Sequence, residues 1–519
     1  MKKAIYLIIA LIGLSAPSCS DSMLDFSPTD SGSGKELLKS ASTAITSVNG
    51  VYRSMWTAGW STTANTHQCF GIAAYNLALD CMADDLIMQS QGNGWCWGDH
   101  CYNVKSNYTS SAFRSYDVWY ANYKWIANVN YIIDAEPEMA GTEADVAYVA
   151  GQAYAIRALC YLNLATWFSR APYNSLTGAS RWNEPCVPVY TTGTSIDTGG
   201  QPRESLRTVY GRIDQDIDRA IELLEKARET TLAENNKSHI NLYVALGIKS
   251  RACLAEGDWD GAFKAAKRVI DEGGYAVGTK SDLTSGMNSL DKQNVMWGAG
   301  IQVADQAGGY AGFFTHMDNK EGAYAKSAPK LISKQLYNRI SATDIRRDWW
   351  DPSDKESPYV SKKFSFANVA SFLGDYIYMR VEEMYFTAAE AALRLDDLKS
   401  ARELMNTVMA ERDPGYSANN RSGTLLGATT TTWTGSFLEN ILTHRRIELW
   451  GEYGRLFDVP RLGQGIDRRT DDGFSEECIS MMNRRNVNIT KADTYDWVLT
   501  IPKAELDANP NINEEDQNP

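Results

Sequence analysis

Residues 252–270, ACLAEGDWDGAFKAAKRVI, align without a gap on residues 391–409, AALRLDDLKSARELMNTVM. Ala252, Leu254, Trp259, Ala262 and Val269 fall opposite Ala391, Leu393, Leu398, Ala401 and Val408. Each copy has apolar residues at helical spacing, a break at Gly257-Asp258 or Asp396-Asp397, and a second run of the same period. Two helices joined by so short a turn must pack antiparallel, and alanines at the facing positions let their backbones approach closely. A gapless internal repeat of this kind predicts tetratricopeptide-like helical pairs, which bury their apolar stripes by stacking on one another. The fold class that follows is mainly α.

Other segments fit that frame. A third, discontinuous pair is predicted from a helix over residues 148–168 and another carrying Val209, Ile213, Ile217, Ala220, Ile221 and Leu224. The paired regions thus span about 143–270 and 380–461, the latter ending in a helix stopped by Pro460 and Gly463. Further helices are expected over 35–56, 73–79 and 115–137. Asp214, Asp216 and Asp218 alternate along one helix and cannot converge on one cation, so they read as a solvated face. Between 273 and 378 the helical period fades into Gly and Ser clusters, with one short strand expected at 294–298.

The least regular aromatic stretch is CMADDLIMQSQGNGWCWGDHCYNVKSNY, residues 81–108. It sets Trp95, Trp97 and Tyr102 among Asn93, Asp84 and several glycines, with neither a helical nor a strand period. Flat rings pack on the apolar face of a pyranose, while Asn and Asp side chains bond its hydroxyls. The loop region of about 80–110 is therefore the first candidate ligand site. The second lies within 273–378, where Tyr310, Phe313, Phe314 and Tyr324 stand in a polar, glycine-rich setting that can face the first loop. Asp344-Ile345-Arg346 with Trp349-Trp350 reads as packing.

Composition excludes several alternatives. A net charge of −13 leaves no basic face for nucleic acid. The five histidines, His67, His100, His239, His316 and His444, occupy no nucleophile-elbow or metalloprotease spacing, and no phosphate-binding or dinucleotide-binding glycine loop is present. No cofactor is expected, and Cys69, Cys81, Cys96 and Cys101 with His67 and His100 match no zinc ligand pattern. In an oxidising compartment these cysteines allow three pairings, of which Cys96 to Cys101 is nearest in sequence. The 64 carboxylates leave room for a glycosidase pair, Asp84-Asp85 being the most suggestive, but nothing points to one.

Lys2-Lys3, an apolar run over 4–14 and the box SAPSC read as a secretory signal, residues 1–18. The run is too short to span a bilayer, which takes about 20 residues. Cys19 stands where a lipoprotein peptidase cuts and is the expected lipidation site, followed by a Ser/Gly-rich tether to residue 34. Two or more acyl chains anchor a protein stably.

The ordered set R-x-E-E-x-Y-F-x-A-A-E-A from Arg380, M-N-x-V-M-A-E-R from Met405, R-R-I-E-L-W-G-E-Y-G-R-L-F-D from Arg445 and the tail IPKAELDANPNINEEDQNP resembles the SusD/RagB family. Arg157-Ala158 with the following A-P-Y, and CSDSMLDFSP after the signal, resemble it too, so the likeness runs through nearly the whole chain. It implies one SusD-like domain over 35–519 and a cell-surface, lipid-anchored outer-membrane protein that captures oligosaccharide. It also implies a partner, a SusC-like TonB-dependent transporter, and no catalysis. The alternatives left open are a helical-repeat enzyme acting on glycans, a peptide-binding member of the same family, and a scaffold that binds protein alone.

Overall fold

The two aligned segments fold into the same hairpin, down to the turn. Gly257 and its counterpart Asp396 both take left-handed backbone conformations, at φ 78° and 62°, a region glycine enters freely and Asp tolerates better than most residues. The next residue caps the second helix in each copy. Asp258 accepts the Gly261 N–H and Asp397 accepts the Ser400 N–H, both at 3.0 Å. The facing alanines Ala252, Ala262, Ala391 and Ala401 are fully buried, as are Val269 and Val408. Trp259 departs from the expectation of a core ring. It is half-buried, edge-on to Tyr173 and under the Arg394 guanidinium.

The computed structural model describes residues 34–57, 66–102, 113–195, 197–233, 236–303, 311–491 and 494–519. Among the described residues, the helices of nine or more residues are α1 (Ala41–Ser54), α2 (Ile72–Met82), α3 (Phe113–Ala135), α4 (Glu143–Phe168), α5 (Leu206–Lys226), α6 (Leu242–Glu256), α7 (Trp259–Glu272), α8 (Val381–Arg394), α9 (Leu398–Ala410), α10 (Phe437–Glu448) and α11 (Glu476–Arg484). From α3 to α9 each packs on the next, including α4 on α5, the discontinuous third pair. None of the described helices is long and apolar enough to cross a membrane.

Helix α7 packs directly on α8 although more than a hundred residues separate them. The insertion therefore leaves and re-enters the array at one place, and a β-ladder closes its neck. Strand β2 (Val295–Ala299) pairs antiparallel with β6 (Tyr376–Arg380). The expected strand at 294–298 is thus present, one residue later. The other strands are two residues long: β1 (Leu86–Ile87), β3 (Leu331–Ile332), β4 (Trp350–Asp351) and β5 (Val360–Ser361), in the order β1-β3-β5-β4. Through β1 the aromatic loop after α2 is joined to the insertion, with Leu86 opposite Ile332.

The charged residues of the motifs that start at Arg380 and Arg445 are almost all internal, and so is Arg412. Glu448 receives Arg346, Arg380 and Arg412 at 3.1, 2.9 and 3.0 Å. Glu382 receives Arg412 at 2.8 Å, Glu383 receives Arg251 at 2.7 Å, and Asp458 bridges Arg445 and Arg461 at 2.9 and 2.6 Å. Burial alone raises a carboxyl's pKa, yet three guanidiniums hold Glu448 well below the usual range. Desolvating so many ions offsets much of their attraction, so the network contributes more to the relative placement of α8, α9, α10 and the insertion than to net stability. These motifs build the scaffold.

Two expectations need correction here. Asp216 is not on a solvated face: it is buried and takes a bidentate bond from Arg157, both contacts at 2.7 Å. The eight described cysteines are buried free thiols. Cys96 lies 3.9 Å from His316 Nδ1 and Cys101 meets Cys478, so the bridge suggested by sequence proximity is not formed.

Candidate functional site

After α2 the chain passes through Asp84-Asp85 and β1, then loops out over residues 88–96 before a single helical turn, Trp97–His100. The tip of this loop, Gln91 to Asn93, is exposed. It is pressed against the insertion at Gly92, where a Cβ would lie 2.5 Å from the Ser327 carbonyl oxygen and φ is 52°. Only glycine permits that approach. The Trp95 N–H then donates to Asn93 Oδ1 at 3.4 Å, and Trp95 emerges half-buried.

The Trp95 ring stacks on His67, with centroids 4.8 Å apart and planes at 17°. Tyr324, on the short helix Ala323–Ser327, completes the cluster at 5.9 Å from Trp95, and its hydroxyl bonds His67 Nδ1. Below them His316 reaches the His67 carbonyl oxygen at 2.7 Å through Nε2 and stacks on Phe70. Trp95 is thus stacked on His67 and remains partly exposed. Exposed Gln91 and Asn93 stand near it in the chain, and exposed Lys326 and Ser327 follow Tyr324 on the insertion. Lys326 also lines a cleft of about 810 Å³ in the insertion, bordered by Glu321, Asp351, Glu356, Lys362 and Phe366.

Of the residues singled out in the sequence, the structure brings together Trp95, Asn93 and Tyr324. The others need correction as ligand contacts. Trp97 is 3% exposed and belongs to the main core. Tyr102 is fully buried and donates to the Met82 carbonyl oxygen at 2.6 Å. Phe313 and Phe314 pack at near right angles to each other, with Phe364, Phe366 and Tyr376 around them. Tyr324 is itself 6% exposed and supports His67 and Trp95 rather than offering a face. Tyr310 and Cys19 lie outside the described residues.

Asp84 is committed elsewhere as well. Its carboxylate takes Arg446 at 3.0 Å and Arg455 at 3.2 Å, while Asp85 takes Arg446 through Nε at 3.0 Å. Burial would raise the Asp84 carboxyl, but the two guanidiniums hold it below its ordinary value. The acidic pair clamps the end of α2 to α10, through Arg446, and to the segment after it, through Arg455. Among the described residues no cluster of three His, Cys, Asp or Glu is placed to hold a metal ion. The residue that sequence reasoning weighed only for metal binding and catalysis is His67. Its partners are 28 and 257 positions away, so no local pattern marks it.

This fold has close relatives among solved structures. A SusD-like carbohydrate binding protein from Bacteroides vulgatus superposes with a TM-score of 0.73 at 25% identity, covering 92% of this chain and 98% of that one. A SusD superfamily protein from Bacteroides thetaiotaomicron gives 0.72 at 22% identity, covering 92% and 100%. Surface glycan-binding protein A from Bacteroides thetaiotaomicron, in complex with laminarihexaose, gives 0.63 at 16%, covering 92% and 99%. These place the molecule in the class of mainly helical proteins with a SusD-like fold. Residues 325–519 match the model of the SusD family, and residues 46–254 match the SusD-like model described as starch-binding associating with outer membrane. These two matches together take in most of the chain, which belongs to the SusD-like family. No curated protein sequence matches it significantly.

Proposed function

We propose that the protein is a cell-surface glycan-binding lipoprotein of the outer membrane, anchored through Cys19, which passes oligosaccharide to a SusC-like TonB-dependent transporter. The observation that carries the glycan reading is the Trp95 ring, half-exposed at the end of a Gln-Gly-Asn-Gly loop and stacked on His67. An indole held flat and backed on one side offers its other side to a pyranose, and the neighbouring amides can bond hydroxyls. The match over residues 46–254 to a starch-binding, outer-membrane-associating family supports both the ligand class and the location. The carbohydrate-binding relative from Bacteroides vulgatus, similar over nearly its whole length, supports the ligand class.

Transfer to a transporter is the finer part of the reading, and mild-detergent purification from the native membrane tests it. A β-barrel transporter should co-purify with the protein, and the complex should retain soluble oligosaccharide without releasing product. Recovery of the protein alone, under conditions where other lipoprotein–barrel pairs survive, would overturn the partnership. Product release would overturn the assignment to binding.

A further inference from the structure

A second aromatic surface shares no residue with the Trp95 cluster. Helix α3 carries Tyr116, Tyr120 and Lys124 at four-residue spacing, one above the other. The rings of Tyr116 and Tyr120 stack at 5.5 Å and 9°, and the Lys124 ammonium lies 5.7 Å from the Tyr120 centroid. Beside them the chain returns as the Thr/Ser/Gly-rich segment 190–200. Between helix and segment lies a cleft of about 460 Å³, walled by Trp119, Tyr120, Tyr123 and Tyr190 and by the loop residues Thr194, Ser195 and Thr198. That volume falls in the range of about 300–1,000 Å³ usual for small-ligand sites.

The polar edges of these rings are already bonded. Tyr123 donates to the Pro188 carbonyl oxygen at 2.8 Å, and the Tyr190 hydroxyl accepts the Gln201 N–H at 3.0 Å. Trp119 Nε1 donates to Glu505 at 3.2 Å, and the other Glu505 oxygen accepts from Asn509 at 2.8 Å. Their orientations are therefore set, and ring surface is what they present to the cleft. On the loop side, Ser195 Oγ and Thr198 Oγ1 accept backbone N–H groups at 3.2 and 2.8 Å, which leaves each hydroxyl its own hydrogen to donate. One lysine and one already bonded glutamate give the cleft no dominant charge. Rings on one wall and hydroxyls on the other fit a neutral, polyhydroxylated ring better than a phosphate, a lipid chain or a charged peptide.

We propose that this cleft is a second oligosaccharide subsite, in which a neutral pyranose packs against the wall formed by Tyr120, Tyr123 and Tyr190 and is bonded by the hydroxyls of Ser195 and Thr198. The proposal rests on the glycan reading above and adds a place on the molecule where that ligand is held. Its test is isothermal titration of the full-length protein in detergent with maltohexaose, laminarihexaose, xylohexaose and mannohexaose. The expected result is two binding events for the accepted hexaose. Tyr120→Ala should weaken one of them by about two- to twelvefold, the loss of one ring from the wall, and Tyr120→Phe should restore it. Thr198→Val, which leaves α3 untouched, should weaken the same event, while Trp95→Ala weakens the other. One event, reduced by Trp95→Ala and unchanged by Tyr120→Ala and Thr198→Val, would overturn the subsite and leave the glycan reading standing. No binding of any hexaose at millimolar concentration would overturn both.

Discussion

Trp95 and Trp97 stand two residues apart, and the structure predicts opposite outcomes for replacing them. Trp97 is 3% exposed within the main core, so Trp97→Ala leaves a cavity and should cost about 3–5 kcal/mol. Unfolding entropy near 2.1 cal/mol/K per residue over 519 residues means that each kcal/mol moves the midpoint by about 1 °C. Trp97→Ala should therefore melt about 3–5 °C below wild type. Trp95 is half-buried and has His67 as its stacking partner, an interaction of about 0.5–1.5 kcal/mol, so Trp95→Ala should shift the midpoint by about 1 °C. Affinity should behave the other way. If Trp95 supplies the ligand platform, its loss weakens oligosaccharide binding about two- to twelvefold. The Trp97 variant should bind nearly normally at temperatures where it is folded. The assay is a pair of measurements on each variant, calorimetric melting and titration with the hexaose that wild type binds best. A Trp97→Ala protein that melts like wild type and loses affinity would refute the burial argument. Unchanged affinity in Trp95→Ala would place the platform elsewhere.

Glu448→Ala should strand the buried guanidiniums of Arg346, Arg380 and Arg412 and cost about 3–5 kcal/mol; urea unfolding close to wild type would contradict the network's role. Burial lifts the Asp80 carboxyl from its usual value near 3.8 to about 8, against one bond from the Arg455 N–H. The folded state then holds a proton that the unfolded chain releases, so this group's contribution to stability is full below about 3.8 and is lost as pH rises towards about 8. Urea midpoints at pH 5, 6.5 and 8 should accordingly fall less with rising pH in Asp80→Asn than in wild type, and parallel slopes would argue against a protonated Asp80. Cys19→Ala should move the protein out of the detergent phase or leave it as precursor, and unchanged partitioning would rule out lipidation there.

The helical pairs were readable because their information is local. Apolar spacing, the break at Gly257 or Asp396 and the cap at the following aspartate all lie within 19 residues of chain, and a repeat states them twice. The family motifs were readable as letters, yet what the letters do was not. Arg380, Glu382, Arg412 and Glu448 find one another across 68 residues of sequence, and only the packed array shows that they neutralise each other in the core. The same holds for Asp84, whose adjacent acid suggested chemistry until Arg446 and Arg455 closed around it.

For the site the division is sharper. Composition alone selected the loop region of about 80–110, because aromatic side chains among glycine and amide residues suit a sugar and the sequence shows no regular period there. Which ring turns outward is a different question. Trp95 and Trp97 are the same residue type in the same loop, and the left-handed backbone at Cys96, φ 63°, helps turn the chain between them. One indole then enters the core and the other rests on His67. The surface that receives Trp95 is assembled from residues 67 and 324, far apart in the chain, so no reading along the sequence contains it. Side-chain types and their local period determined the helical scaffold and pointed to a class of ligand. Which ring stays partly exposed depends on which distant segments fill the space behind each one, and that is decided only when the insertion closes on the array through β1, β3 and the β2–β6 neck.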